Sequence, residues 1–236
     1  MTASEILNQL AKLDNGGYKK LMLKHGAKEP YFGVKIEDMK NRFQKKIKKD
    51  YKLALDLFDS GNGDAQYLAG LIADEQQMSK DDQRRWAEIA SWPMVSEYSV
   101  AWVAGESRFG FELGKEWIDS DQEKVASTGW ATLSSLVSVK PDDELPVQEL
   151  EKLVSRVAKT IQKSPNRVRY AMNNFVIAVG SYVAALTDRA LAAAKQMGKV
   201  TVDVGDTDCK VPDAGQYIAK VAKAGRVGRK RKSARC

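Results

Sequence analysis

The chain has 236 residues, 43% of them hydrophobic, and a formal net charge of +7, which suits one domain or one array of short repeats. No run reaches the ~18 uninterrupted apolar residues of a membrane span, and Met1 to Leu13 carries Glu5 and no basic n-region, unlike a secretory signal. Two cysteines, Cys209 and Cys236, form no metal spacing, and the one histidine, His25, excludes a His-rich zinc site and argues against a Ser-His-Asp triad.

Almost every segment before Lys199 reads as helix. Ile36, Met39, Phe43 and Ile47 recur at helical spacing, and Leu53, Leu57 and Phe58 do so in the next helix. The turn Ser60-Gly61-Asn62-Gly63 follows, with Asp64 as the expected cap of a helix through Tyr67, Leu68, Leu71 and Ile72. Ser79-Lys80-Asp81-Asp82 has the form of a capping box and opens a helix carrying Trp86, Ile89 and Ala90. Pro93 suits the first turn of the next helix, through Val95, Val100 and Val103. Further helices are expected over 109–119, 121–139, 146–163, 165–179 and 184–197. Short loops and antiparallel pairs of about 40 residues predict an all-α solenoid of HEAT-like helix pairs. They do not suit a four-helix bundle, which has too few helices.

Beyond Lys199 the pattern changes. Thr201-Val202-Asp203-Val204-Gly205-Asp206 reads as a short strand or an extended loop, and Pro212 to Ala224 as a last helix with Asp213 near its start. Cys209, between Asp208 and Lys210, reads as a small packed cysteine, with a reactive thiol as the alternative. Arg226, Arg229, Lys230, Arg231, Lys232 and Arg235 crowd the end of the chain, and +7 less those six leaves about +1 for the body. The division expected is one helical-repeat domain over 1–224 and a basic, disordered tail over 225–236. That tail is the strongest bare signal for a polyanion.

Four stretches, in order, carry a family resemblance. Lys20-Leu21-Met22-Leu23-Lys24 is followed by Tyr31-Phe32-Gly33-Val34. Then come Ser91-Trp92-Pro93-Met94-Val95-Ser96-Glu97 and Glu116-Trp117-Ile118-Asp119-Ser120-Asp121. Asn166-Arg167-Val168-Arg169, with Asn174-Phe175, closes the series. Over roughly residues 18 to 198 the chain resembles the DNA alkylation repair (AlkD-like) family of HEAT-like repeat glycosylases. The resemblance implies release of cationic alkylated bases, 7-methylguanine and 3-methyladenine, without base flipping. It also implies a carboxylate that supports the developing sugar cation, and no metal or organic cofactor.

Carried over residue by residue, Glu97 falls at the catalytic aspartate, and Trp92 and Phe175 at lesion-contacting aromatics. A one-residue slip would put Ser96 at the aspartate instead. Pro93 stands where the family has a tryptophan. The family's catalytic arginine falls near Ser127, and no arginine lies between Asp121 and Val139. The expected partner is double-stranded DNA, bound by a monomer away from any membrane, in the cytoplasm and at the nucleoid if the source is bacterial. Arg42, Lys45, Lys46 and Lys49 form a helical stripe suited to phosphates. Arg167 and Arg169 near a helix start, and Arg229, Lys230, Arg231 and Lys232 in the tail, complete the candidate DNA contacts. The alternatives are a noncatalytic DNA-binding member of the same family and a HEAT-like protein-interaction scaffold. For each candidate there is a plain structural reading: Glu97 as a solvated glutamate at a helix start, Trp92, Trp102 and Trp130 as core, the arginines and lysines as a solvated face.

Overall fold

The computed structural model describes residues 1–235; Cys236 lies outside the described residues. All regular structure among them is helical. The chain opens with α1 (Ala3–Ala11) and α2 (Gly16–Lys24). A split helix follows: α3 (Ile36–Met39), a π-helical turn Lys40–Gln44, and α4 (Lys45–Ile47). Next come α5 (Tyr51–Asp59), α6 (Gly63–Ile72) and α7 (Lys80–Ile89). A second π-helical turn, Val95–Val100, runs directly into α8 (Ala101–Glu106), ahead of α9 (Gly110–Trp117). The remainder is α10 (Glu123–Val139), α11 (Val147–Thr160), α12 (Asn166–Tyr182), α13 (Thr187–Met197) and α14 (Ala214–Lys223).

These helices stack as antiparallel pairs in two rows. The inner row is α3/α4, α6, the second π turn with α8, α10 and α12; the outer row is α5, α7, α9, α11 and α13. α6 is buried along its whole length, and Trp130 and Phe175 close the core between α10 and α12 with ring centroids 5.1 Å apart. The inner helices approach closely where side chains vanish. A Cβ on Gly105 would stand 2.7 Å from the Cβ of Ser135, closer than real Cβ atoms come. Ion pairs between consecutive outer helices tie the repeats together. Arg84 meets Glu116 at 2.7 Å, Lys115 meets Glu149 at 3.1 Å and Arg189 meets Glu151 at 3.6 Å. Each such exposed pair contributes little, ~0–1 kcal/mol, but together they leave the outer face nearly self-neutralised.

Local signals mostly hold. Ser79 and Asp82 make the capping box, Pro93 is the first helical residue of its segment, and Asp213 caps α14. The cap of α6 is Asn62 rather than Asp64. The Asp64 carboxylate turns away instead and accepts the backbone N–H groups of Phe32, Gly33 and Val34 at 2.7–3.1 Å, fixing the loop ahead of α3. Residues 201–210 form an extended loop with no strand partner. Cys209 is exposed rather than packed, with its Sγ 3.8 Å from His25 Nδ1.

The end of the chain is not a free tail. Residues 225–235 run back across the molecule, and Ala234 is 1% exposed. Their amides and cations find helix-end carbonyls and carboxylates, partners that composition alone does not reveal.

Candidate nucleic-acid interface

The first turns of the inner helices converge at one end of the stack, and there the structure assembles its principal polar site. The π turn Val95–Val100 supplies Glu97 and Tyr98, α10 supplies Ser127, and α12 supplies Arg167 and Tyr170. Arg167 Nε donates to Glu97 Oε1 at 2.9 Å, and Nη2 donates to Oε2 in a second, shorter bond, so one guanidinium fork takes both carboxylate oxygens. The Glu97 side chain is 5% exposed. Burial pushes its carboxyl above the ordinary range, against the opposing pull of Arg167 and of the Ser127 hydroxyl. The Arg167 guanidinium also stacks 4.8 Å from the Tyr170 ring centroid, and its backbone N–H donates to Glu123 at 2.6 Å.

Beside this pair lies a cleft of about 470 Å³, walled by Trp92, Pro93, Tyr98, Arg167 and Tyr170. Its rim is closed by the loop that carries Asp203, Gly205 and Cys209, held down in three places. Asn166 and Asp203 exchange hydrogen bonds at 2.7 and 2.8 Å. Arg169 donates to Thr201 O at 2.8 Å. Lys24 meets Asp206 at 2.7 Å, tying the end of α2 to this loop. On the other side of Tyr98 and Tyr170 a smaller hollow of about 200 Å³ continues along the inner row, lined by Trp102, Ser134, Ser135, Asn174 and Arg231. Small residues and hydroxyls line this floor, which leaves room for a polymer backbone to approach.

The candidates read from the sequence fall into three groups. Trp92 walls the cleft, 4% exposed and packed edge-on against Tyr31 at 5.7 Å, whereas Glu97 borders the hollow on the other side of Tyr98. Phe175 does not join them: it is fully buried against Trp130 and offers no surface to a lesion. Trp130 is likewise core, whereas Trp102 contributes one edge to the hollow. Among the arginines, Arg167 serves Glu97, and Arg169 is spent on backbone carbonyls of Ser164 and Thr201. The stripe Arg42, Lys45, Lys46 and Lys49 is exposed. Arg42 touches Asp38 at 3.3 Å and Lys49 meets Glu75 at 2.5 Å. In the tail, Lys230 is taken by Asp142 at 2.7 Å, while Arg229, Arg231 and Lys232 meet no carboxylate within ion-pair distance among the described residues. Sequence reasoning missed the pairing of Arg167 with Glu97. The available signal was that Glu97, Ser127 and Arg167 all sit in the opening turns of successive inner helices.

Fold and site together define a helical-repeat protein with a carboxylate–arginine couple at the head of a narrow inner groove. The chain belongs to the DNA alkylation repair enzyme family, whose model matches residues 6–204. Two curated relatives are the Listeria innocua protein Lin0241 and the Listeria monocytogenes protein Lmo0209. Each is 32% identical over 225 residues, covering 93% of this chain and 97% of the relative. A solved structure matches all of this chain and all of its own with a TM-score of 0.91 and 35% identity. It is described as a new family of proteins related to the HEAT-like repeat DNA glycosylases with affinity for branched DNA structures.

Proposed function

We propose that this protein binds DNA along its inner groove, favours branched over linear duplexes, and does not excise bases. The observation that carries the reading is the state of Glu97. A carboxylate meant to steady a sugar cation must present an oxygen to the sugar. Both oxygens of Glu97 are held by Arg167 in a site that is almost wholly buried, and breaking that fork to reach a substrate is costly. The loss of a lesion-facing aromatic at Phe175, which lies in the core, argues the same way. So does likeness, over its full length, to a protein described by its affinity for branched DNA. The groove suits this role, with two tyrosines at its head and hydroxyl-bearing serines along its floor.

The glycosylase reading has one observation in its favour: Glu97 borders the inner groove beside Tyr98 and Trp102. In that reading Glu97 supports the departing purine's sugar once Arg167 is displaced. A titration of fluorescent four-way junction and linear duplex of equal length separates binding by shape from binding by charge alone. The expected result is junction affinity at least about tenfold above that for the duplex, with both falling steeply as salt rises. Equal affinity for the two would contradict a preference for branched DNA.

A further inference from the structure

The basic segment at the end of the chain divides its cations into two sets. After α14, the chain passes over the C-terminal ends of the inner row in succession. Gly228 N donates to Ser181 O at 3.0 Å, in the last turn of α12. Arg231 N donates to Ser138 O at 2.8 Å, and Lys230 Nζ to Val137 O at 2.9 Å, in the last turn of α10. Ser233 Oγ and Ala234 N both donate to Glu106, the last residue of α8, at 2.6 Å. Arg235 then reaches Glu106 at 3.5 Å and Glu75, beyond α6, at 2.8 Å. Glu75 is shared with Lys49, which follows α4. The path follows the last-turn carbonyls that helices leave without internal donors, at the negative ends of their dipoles.

Lys230 and Arg235 are consumed by this docking; their side chains are 18% and 8% exposed. Arg229, Arg231 and Lys232 are exposed and without an ion-pair partner among the described residues. Arg231 also lines the end of the inner groove, beside Ser138 and Tyr182, and Lys232 lies in the adjoining hollow with Lys49. The outer face spends its cations on ion pairs between repeats, whereas this edge holds a row of unspent ones.

We infer that the C-terminal segment is a folded strap that presents Arg229, Arg231 and Lys232 as a phosphate-contacting edge of the groove, with Lys230 and Arg235 as its anchors. The partner is the phosphodiester backbone of DNA, and the inference rests on the DNA-binding reading above. The strap joins the lysine stripe through the shared Glu75 and makes one cationic border from α12 to α4. Because its backbone is already pinned, contact with phosphate carries little of the ordering cost a disordered tail incurs.

The test compares the full chain with Arg229→Gln/Arg231→Gln/Lys232→Gln and with Arg235→Met. Each is titrated with the same four-way junction between about 50 and 200 mM salt. The triple variant loses no described ion pair and should keep its thermal midpoint. Its log–log salt slope should be shallower by about 2–3 and its affinity about 10- to 100-fold weaker at the higher salt. Arg235→Met retains the three contact cations yet should also bind more weakly, because the strap is loosened. Hydrogen exchange of the free protein should show protected amides at Gly228, Arg231 and Ala234 in the full chain and reduced protection in Arg235→Met. Junction binding by the full chain with an unchanged slope in the triple variant would overturn the strap as a phosphate edge and leave the DNA-binding reading standing. Free exchange at those amides in the full chain would overturn the docking. A full chain that binds no DNA would overturn the DNA-binding reading and this inference with it, whatever the amides show.

Discussion

Arg167 reaches Glu97 across 70 residues of sequence and takes both of its carboxylate oxygens. The two side chains come from inner elements with α10 between them. Ser127 of α10 stands at the same level, and its hydroxyl also draws on the Glu97 carboxyl. A carboxylate that would otherwise be buried without a counter-charge is thereby neutralised from α12, the next inner helix but one.

Removing one partner should therefore cost more than removing both. Arg167→Met leaves Glu97 buried and unpaired, and should lower stability by about 3 kcal/mol in urea unfolding. Glu97→Gln/Arg167→Met should recover most of that loss. Simple additivity of the two single changes would show that the pair contributes nothing.

Asp64 gives the fold an acid-side signature. Burial pushes its carboxyl up to about 6, although Phe32, Val34 and Gly33 donate to it and Lys19 lies near. A carboxyl raised in the folded state stabilises most when protonated, so its contribution is full below about pH 4 and is lost as pH rises through 6. The full chain should lose on the order of 2–3 kcal/mol over that window relative to Asp64→Asn. Parallel stability profiles for the two proteins would contradict this.

The close approach of α8 and α10 leaves no room for a methyl group at Gly105. Gly105→Ala should destabilise by about 1–3 kcal/mol through overpacking, with the groove floor disturbed and junction affinity reduced as well. A neutral or stabilising effect would mean that the inner row yields easily there.

The strap's anchor should hold in mild acid. Burial raises Glu75, but hydrogen bonds from Lys49 and its own backbone and the charge of Arg235 outweigh it, and the net shift is downward. A depressed carboxyl contributes stability above its ordinary value that is lost as pH falls through the lowered one. Amide protection at Arg235, whose guanidinium meets Glu75 at 2.8 Å, should persist through the usual glutamate range and disappear only below it. Loss of protection already near neutrality would place the anchor elsewhere.

The sequence was legible wherever structure is decided locally. Apolar spacing such as Leu53, Leu57 and Phe58, the Ser79 capping box and Pro93 each depend on a few neighbouring residues, and each appears as read. The family order of motifs adds the stacking. Glu97 and Trp92 come from one short segment, yet that segment turns them to hollows on either side of Tyr98, which sequence spacing does not show. Phe175 was carried over to lesion contact from the family's late aromatic, and likeness of motif does not say which face of α12 meets α10; here it is buried against Trp130. Arg167 was assigned to phosphate because partner choice between distant helices depends on the repeat geometry. The strap was read as disorder from its charge and scarcity of apolar residues, since nothing in its composition shows the row of helix-end carbonyls that receives it. Neither π-helical turn has a signal in side-chain patterning, yet one of them carries Glu97 and Tyr98.

The most direct test of the central claim, that the Glu97–Arg167 pair leaves a binding protein without base excision, is release of 7-methylguanine and 3-methyladenine from alkylated duplex DNA. The protein should first be shown folded and saturated with that DNA. Release no faster than the spontaneous background is the predicted result, identical for the full chain and Glu97→Gln. Enzymatic release by the full chain that collapses in Glu97→Gln would contradict it and make Glu97 the working carboxylate of a glycosylase.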